Sequence, residues 1–571
     1  MFKKNHFGIS NYKLYYYYIG LSIIIVCICA PYITYKTIVT TDEFVSIAVP
    51  YYFLGADWRD FVSNLKYHGY GATILITPLL KLYSGIYPYR LFLGEALFFR
   101  WAITIITFRL VYTYFCISPL KSSIVALLCC FGTLGNFTYS ELNVLTELPL
   151  ALICVCCAWY FLGCKSYFSS TLIAFILGYT VLIHARFIVI WISFFIAGWH
   201  NYKSKCYKKK MFIYTCVLLM LFGGCFYLLQ SNTISVLFGT ANSNVSNTLD
   251  KFTTTDRLIG YFQSLASLKM LVITENLLSL VASFTYYSFG FIWLWIFAII
   301  AFYKDASPRL TTVDIRSISV FSLFSWLFMN FLIAVRSVDA VDAGLHKKYT
   351  YIRYAIPFTW QIVFLGTAII FSNYHILKRI IIRAFIADLT FESYFYFKIL
   401  PIISSTGYER KGGFEYLLNT ELNTTSFFSI LYITTKICLL AVMLVHYKGI
   451  KFFWAPYAII SAIALVNNYN TFFERSDNFY KRCDQSVNYI MENSTYLSDY
   501  NVYYYGSDFF CMCCRISLPF HELKYLNELN VISEEKSFVI VSDKQISMEN
   551  IIYTEILDDG EYVYSDVILT Q

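Results

Sequence analysis

The sequence predicts an all-α polytopic bundle of twelve or thirteen membrane-spanning helices followed by a small C-terminal α/β soluble domain. Three observations predict it. Of 571 residues, 58% are hydrophobic and only 14% charged, against about 25% charged in a soluble protein. Apolar stretches such as Leu14 to Thr34, Met211 to Leu229, Leu277 to Phe302 and Ile352 to Phe371 approach or exceed the ~20 residues that carry a helix across a hydrocarbon core. The charge is also split. Residues 469–571 hold 17 Asp plus Glu against 7 Lys plus Arg, a net −10, and the residues before them are at +18. This composition excludes a water-soluble enzyme, and no feature of it points to nucleic acid.

The first apolar stretch follows Lys3, Lys4 and Lys13. It reads as a retained helix, since its apolar part is long and no small-residue cleavage site follows. Three basic clusters, the N-terminus, Lys203 to Lys210 and Lys378 to Arg383, read as cytoplasmic, so the spans between them must be even in number. Helices at about 14–34, 90–115, 123–138, 148–163, 167–183 and 186–200, then 211–229, 276–302, 316–335 and 352–372, satisfy that parity. They put 35–89, 139–147, 184–186, 230–275 and 336–351 outside. Two further spans follow at about 425–445 and 452–468, joined by a turn with Lys448 and Lys451. A crossing within 384–424 makes thirteen spans and puts the tail outside; without it there are twelve and the tail is inside. The first is favoured.

Residues 1–468 thus form the transmembrane unit and 469–571 the acidic soluble one. From 500 onward, short apolar runs (Asn501 to Tyr505, Ser537 to Val541, Ile551 to Ile556) alternate with polar turns, the pattern of a small α/β domain. Nothing in that domain looks catalytic. The 17 cysteines lie mostly in apolar runs, where a thiol behaves as a small hydrophobe, and no disulfide framework is legible. Cys511, Cys513 and Cys514, with His521 nearby, lack the paired spacing of a zinc site.

The chemistry-bearing residues cluster in the first external segment, about 35–89. It reads Thr41-Asp42-Glu43-Phe44, then Leu54-Gly55-Ala56-Asp57-Trp58, then Tyr67-His68-Gly69-Tyr70-Gly71, then an apolar Ala72 to Leu82 interrupted by Pro78. Adjacent carboxylates just beyond a first helix are either a solvated loop start or a general base at the membrane boundary, where partial desolvation raises basicity.

This order of elements resembles the first external loop of the GT-C membrane glycosyltransferases, among them protein O-mannosyltransferases and aminoarabinose transferases. Three further places resemble the family: Glu147-Leu148-Pro149 opening the fourth helix, His184-Ala185-Arg186-Phe187 between two later helices, and Arg353-Tyr354 running to Pro357 at a late helix entrance. This chain has His68-Gly69 where several relatives have His-Pro-Pro or Lys-Pro-Pro. The match covers residues 1 to about 370.

The resemblance implies a polyprenyl-phosphate sugar donor, a glycan, lipid or protein acceptor, and a site on the outer side of the cell membrane. Asp42, with Glu43 beside it, would take the proton of the acceptor hydroxyl. His68, Arg186 and Arg353, with Lys347 or Lys348, would meet the donor phosphate. Glu141 and Glu147 would orient the acceptor or, with Asp42, hold a divalent cation; these residues leave open whether a metal is needed. Each cation alone also reads as an ordinary interfacial side chain. Glu95 and Arg100, five apart in the second helix, read as a structural pair.

Two rivals remain: a polysaccharide polymerase or ligase, expected to carry its large external loop in the second half of the chain, and a transporter or flippase, expected to show broken or charged helices at mid-membrane and internal repeats. If the topology is right, cysteines substituted at Asp42 and Lys208 label from opposite faces of sealed vesicles. Labelling from the same face overturns it.

Overall fold

The computed structural model describes, with a few single-residue gaps, residues 11–34, 41–62, 69–82, 89–132, 144–163, 166–203, 209–238, 270–305, 312–336, 352–372, 378–401, 457–466, 484–518, 523–526, 529, 537–557 and 561–566. The expected crossing within 384–424 and the spans at 425–445 and 452–468 lie largely outside them.

The described chain is an all-α polytopic bundle with a small C-terminal domain built on a sheet. Among the described residues, five helices are long and apolar enough to cross a membrane, with shorter apolar helices between them. The first, α1 (Asn11–Thr34), buries a stripe of Leu21, Ile25 and Cys29, four residues apart and so on one face. Tyr15, Ile19, Ile23 and Val26 are exposed on the rest of it, as an apolar helix bathed in lipid requires.

The segment expected as the first external loop is largely helical. It holds α2 (Thr41–Phe53), α3 (Arg59–Val62), a 3-10 turn (Thr73–Ile76) and α4 (Thr77–Leu82). The Pro-containing helix was legible in the sequence. Helix α2 was not, because Pro50 sits inside it.

The bundle continues through α5 (Tyr89–Tyr114), α6 (Pro119–Phe131), α7 (Val144–Leu162), α8 (Tyr167–Ile183), α9 (Phe187–Lys203) and α10 (Lys209–Phe238). After α11 (Met270–Tyr287) and α12 (Phe291–Asp305) come α13 (Thr312–Arg336), a 3-10 turn (Ile352–Ala355), α14 (Ile356–Phe371) and α15 (Lys378–Tyr394). One expectation is corrected here. The stretch 276–302, read as a single span, is two helices broken at 288–290, where Phe289 and Gly290 adopt φ of 53° and 77°. Hydropathy is blind to such a break because the turn residues are themselves apolar.

The C-terminal domain carries α16 (Asp484–Glu492), α17 (Ser494–Leu497), β1 (Asn501–Tyr505), α18 (Asp508–Ser517), β2 (Leu523–Tyr525), β3 (Phe538–Ser542), β4 (Tyr553–Ile556) and β5 (Tyr562–Ser565). Its sheet runs β2-β1-β3-β5-β4. β1 pairs in parallel with β2 and β3, and β5 pairs antiparallel with β3 and β4. β3, buried along its whole length, is the central strand. Cys513 on α18 is disulfide-bonded, which the sequence pattern did not disclose; Cys511 and Cys514 beside it are buried thiols.

Two large cores divide the molecule. One fills the helix bundle. The other joins α2 and its following turn to the C-terminal domain, with Phe44, Tyr51 and Trp58 on one side and Phe510, Cys514 and Val541 on the other. Trp58 is 1% exposed and stacks on Phe44 at 5.1 Å and on Tyr51 at 4.7 Å between centroids. Trp58→Ala is therefore expected to cost about 3–5 kcal/mol, read as a lowered unfolding midpoint of the purified protein in detergent. A midpoint within error of wild type would show that the stack carries no load.

Candidate functional site

Among the described residues, four singled out by motif, Glu147, His184, Arg186 and Tyr354, come together at one end of the bundle. The Gly69-Tyr70-Gly71 stretch lies against the last turn of α8, where the amides of Tyr70 and Gly71 both donate to the Leu182 carbonyl at 2.9 Å. That approach leaves no room for side chains. A Cβ on Gly71 would meet Ile183 N at 2.8 Å, and one on Gly69, whose φ is 105°, would overlap the Ile183 carbonyl. The pattern of Gly at 69 and 71 is thus explained by backbone meeting backbone.

The same stretch is tied to its neighbours by side chains. Ser46 Oγ on α2 donates to the Gly69 carbonyl at 2.5 Å, and Thr73 Oγ1 donates to the Ser46 carbonyl at 2.5 Å. The Tyr179 hydroxyl on α8 donates to the Gly71 carbonyl. The Tyr70 hydroxyl lies 3.1 Å from Thr233 Oγ1 on α10, and burial pushes its phenol up, with the Thr233 contact opposing.

Two residues beyond Leu182 begins the turn that carries Arg186, 5% exposed. Its Nη2 is 2.9 Å from Glu147 Oε1 in the first turn of α7. Its Nη1 donates to the Tyr354 carbonyl at 3.2 Å, and its guanidinium lies 4.9 Å from the Tyr354 ring centroid. Its Nε and backbone amide both donate to His184 Nδ1, at 3.2 and 3.1 Å. That leaves the His184 ring proton on Nε2. Glu147 is 1% exposed, so the pair is excluded from water and each charge depends on the other.

Arg186 and Glu147 are therefore partners, and three motifs read separately in the sequence are one cluster. Asp42 and Glu43 lie in the first turn of α2, where the helix dipole favours carboxylates, and Arg353 lies in the 3-10 turn next to Tyr354. The side chains of Asp42, Glu43 and Arg353, and the whole of His68, Glu141, Lys347 and Lys348, lie outside the described residues. Sequence reading missed Ser46, Tyr179 and Thr233, ordinary residues whose only signal is where they fold. Among the described residues no group of three His, Cys, Asp or Glu side chains is gathered as a metal requires.

Beside Glu147 a cavity of about 540 Å³ of atom-free space, counting its open mouth, is lined by Arg100, Cys130, Glu147, Pro357, Trp360 and Tyr457 among others. Arg100 does not pair with Glu95. It donates to the Cys130 carbonyl at 3.2 Å, while both Glu95 oxygens are buried without a hydrogen-bond partner among the described residues. Five residues turn a helix by about 500°, so the two point some 140° apart. In the C-terminal domain, the crevice at the ends of β1 and β3, where α/β sheets receive ligands, is filled by Asp543. Its carboxylate accepts from the Ser507 amide at 2.9 Å and from the Ser507 hydroxyl at 2.5 Å.

The fold and this cluster define a polytopic membrane protein whose buried polar groups converge where helix ends meet a folded loop. No family model and no curated protein matches the chain. Two solved structures are similar to it: ArnT from Cupriavidus metallidurans bound to undecaprenyl phosphate, at 10% identity and a TM-score of 0.48 over 98% of this chain and 99% of that one, and the same protein in the apo state, at 9% identity and 0.46 over 96% and 97%.

Arg186→Met is expected to destabilise by about 3–5 kcal/mol because it strands the Glu147 charge, while Glu147→Met with Arg186→Met together should cost less than either alone. Denaturant unfolding of the three variants tests this. A double mutant as unstable as the sum of the singles would break the pairing account.

Proposed function

We propose that this chain is a GT-C type membrane glycosyltransferase, a hexosyl- or pentosyltransferase that moves a sugar from a polyprenyl-phosphate donor to an acceptor hydroxyl at the outer face of the membrane. The observation that carries the reading is the gathering of α2, the Gly69–Gly71 stretch, the Glu147–Arg186 pair and the Tyr354 turn at one end of the helix bundle. Such a place suits a substrate whose lipid stays in the bilayer while its phosphate and sugar stand at the boundary.

In the proposed reaction Asp42 takes the proton of the acceptor hydroxyl as its oxygen attacks the anomeric carbon. The bond from that carbon to phosphate oxygen breaks, the electron pair leaves with the polyprenyl phosphate, and the single displacement inverts the centre. Cations stabilise the departing phosphate: His68 from the first loop, Arg353, and Arg186. Three of the five N–H donors of Arg186 are engaged by Glu147, Tyr354 and His184, so its contribution includes holding the turn that carries Arg353. Glu43, Glu141 or Glu147 orients the acceptor. The acceptor is a glycan, lipid or protein hydroxyl.

Two features support an extracytoplasmic site. The basic clusters at Lys203 to Lys210 and Lys378 to Arg383 favour the cytoplasm for the other ends of their helices. The C-terminal domain, which packs on the first loop, holds the Cys513 disulfide, and disulfides persist in oxidising compartments. One observation favours a transporter instead: the helix broken at 288–290, with the Asp388 carboxylate packed over Gly290. A carboxylate beside the start of α12 is also accounted for as a helix-end partner.

The test is transfer in proteoliposomes offered a panel of polyprenyl-phosphate hexoses and pentoses with extracted cell-envelope lipids as acceptors. Asp42→Asn keeps the side chain's size but cannot accept a proton, so transfer should fall by about 10² to 10⁴ with donor binding retained. Arg353→Ala should weaken donor binding as well. Near wild-type transfer by Asp42→Asn would remove it as base, and silence at Glu43 and Glu147 too would remove the mechanism.

A further inference from the structure

The C-terminal domain reaches the helix α2 through a series of contacts that runs from Arg515 by way of the Asp57 turn to Trp58. Arg515 on α18 is 2% exposed, and its Nη2 leaves its own domain to donate to the Asp57 carbonyl at 3.2 Å. Its guanidinium also lies 5.4 Å from the Tyr504 ring centroid. Asp57 belongs to the turn that reverses the chain after α2. There Gly55 has φ of 97°, and the Ala56 amide donates back to the Tyr51 carbonyl at 3.0 Å.

The reversal lays the next residue, Trp58, flat on the helix it has just left, against Phe44 and Tyr51. Phe44 follows Glu43 and stands two positions from Asp42 in the sequence. The Asp57 carboxylate itself is turned away: Arg59 holds it at 2.6 and 2.8 Å and keeps it below the usual carboxylate range, with Arg515 adding to the effect. The Asp57–Arg59 pair is exposed on both sides and so contributes little to stability. The link between the domains is the half-buried bond of the Asp57 carbonyl with Arg515.

We infer that the C-terminal domain is a positioning element of the transfer reaction, with Arg515 acting through the Asp57 carbonyl and the Trp58 stack to set where the acidic turn of α2 stands. The inference rests on the reading of Asp42 as the base. A buried arginine is an expensive way to hold a domain together, since an apolar side chain of similar volume often does as well. Its geometric value is different: it grips a main-chain carbonyl on the turn that orients α2. A misplacement of about 1 Å at a reacting group costs up to about 10²-fold in rate.

The test uses the full-length protein in proteoliposomes with the same donor panel, and polyprenyl phosphate alone as the binding probe. Arg515→Met keeps an unbranched apolar stem and removes the donors, whereas Arg515→Lys keeps a cation and a donor. Arg515→Met is expected to lower kcat about tenfold or more, with donor KM and polyprenyl-phosphate affinity within about twofold of wild type, and Arg515→Lys to recover most of the loss. Because both residues lie on one path, Arg515→Met combined with Trp58→Phe should lose no more than the worse single variant.

Unchanged kcat per folded molecule, a loss confined to yield or unfolding midpoint, or an additive double mutant overturns the inference. Should Arg515→Met not accumulate, Trp58→Phe carries the test alone: a lower kcat at unaltered KM supports the inference and a wild-type kcat overturns it. Asp42→Asn run in parallel separates the two readings. Inactive Asp42→Asn with unimpaired Arg515→Met removes only the positioning role, whereas active Asp42→Asn removes the base on which it rests.

Discussion

The ion pair between Glu147 and Arg186 is the constraint on which the loop end of the bundle depends. Two charges removed from water are stable only if each satisfies the other and the remaining donors find acceptors, and this requirement fixes several backbones at once. The Glu147 carboxylate brings in the start of α7, the Tyr354 carbonyl brings in the approach to α14, and His184 holds the base of the guanidinium from within the same turn. The immediately preceding turn of α8 then serves as the anvil on which the first loop is folded.

Around that anchor the loop is built by close approach more than by side-chain bulk. Backbone amides of Tyr70 and Gly71 share one carbonyl, which demands residues without a Cβ at 69 and 71. Small hydroxyl groups on α2 and the following 3-10 turn complete the lattice. The result carries helix α2 on a surface whose underside belongs to the membrane unit and whose upper side belongs to the C-terminal domain.

The helix bundle was readable because lipid imposes length and apolarity on every span, and the sequence obeys both in stretches such as Leu14 to Thr34. The strands at 501–505, 538–542 and 553–556 were readable from their alternation with polar turns. What escaped was whatever depends on contact between distant residues. The partnership of Glu147 with Arg186 is invisible until the helices pack, although each motif was visible. The break at 288–290 is hidden by its own apolarity, and α2 by Pro50. Gly69 and Gly71 appeared as a pattern whose reason, the backbone of Leu182 and Ile183, lies more than a hundred residues away.

The joint core of α2 and the C-terminal domain has a consequence for how the chain comes to be. Asp57 and Arg515 are separated by 458 residues, and at about 5–20 residues per second the ribosome needs roughly 20 to 90 s to supply the second after the first. Throughout that interval the core around Phe44, Tyr51 and Trp58 lacks the share that the C-terminal domain supplies, Phe510, Cys514 and Val541 among it. The nascent protein must therefore be inserted in the membrane, span after span, with an unfinished surface at its first loop. Residues beyond 484 thus close a structure formed by residues 44 to 62, so that maturation of this end of the molecule waits on the synthesis of the C-terminal domain.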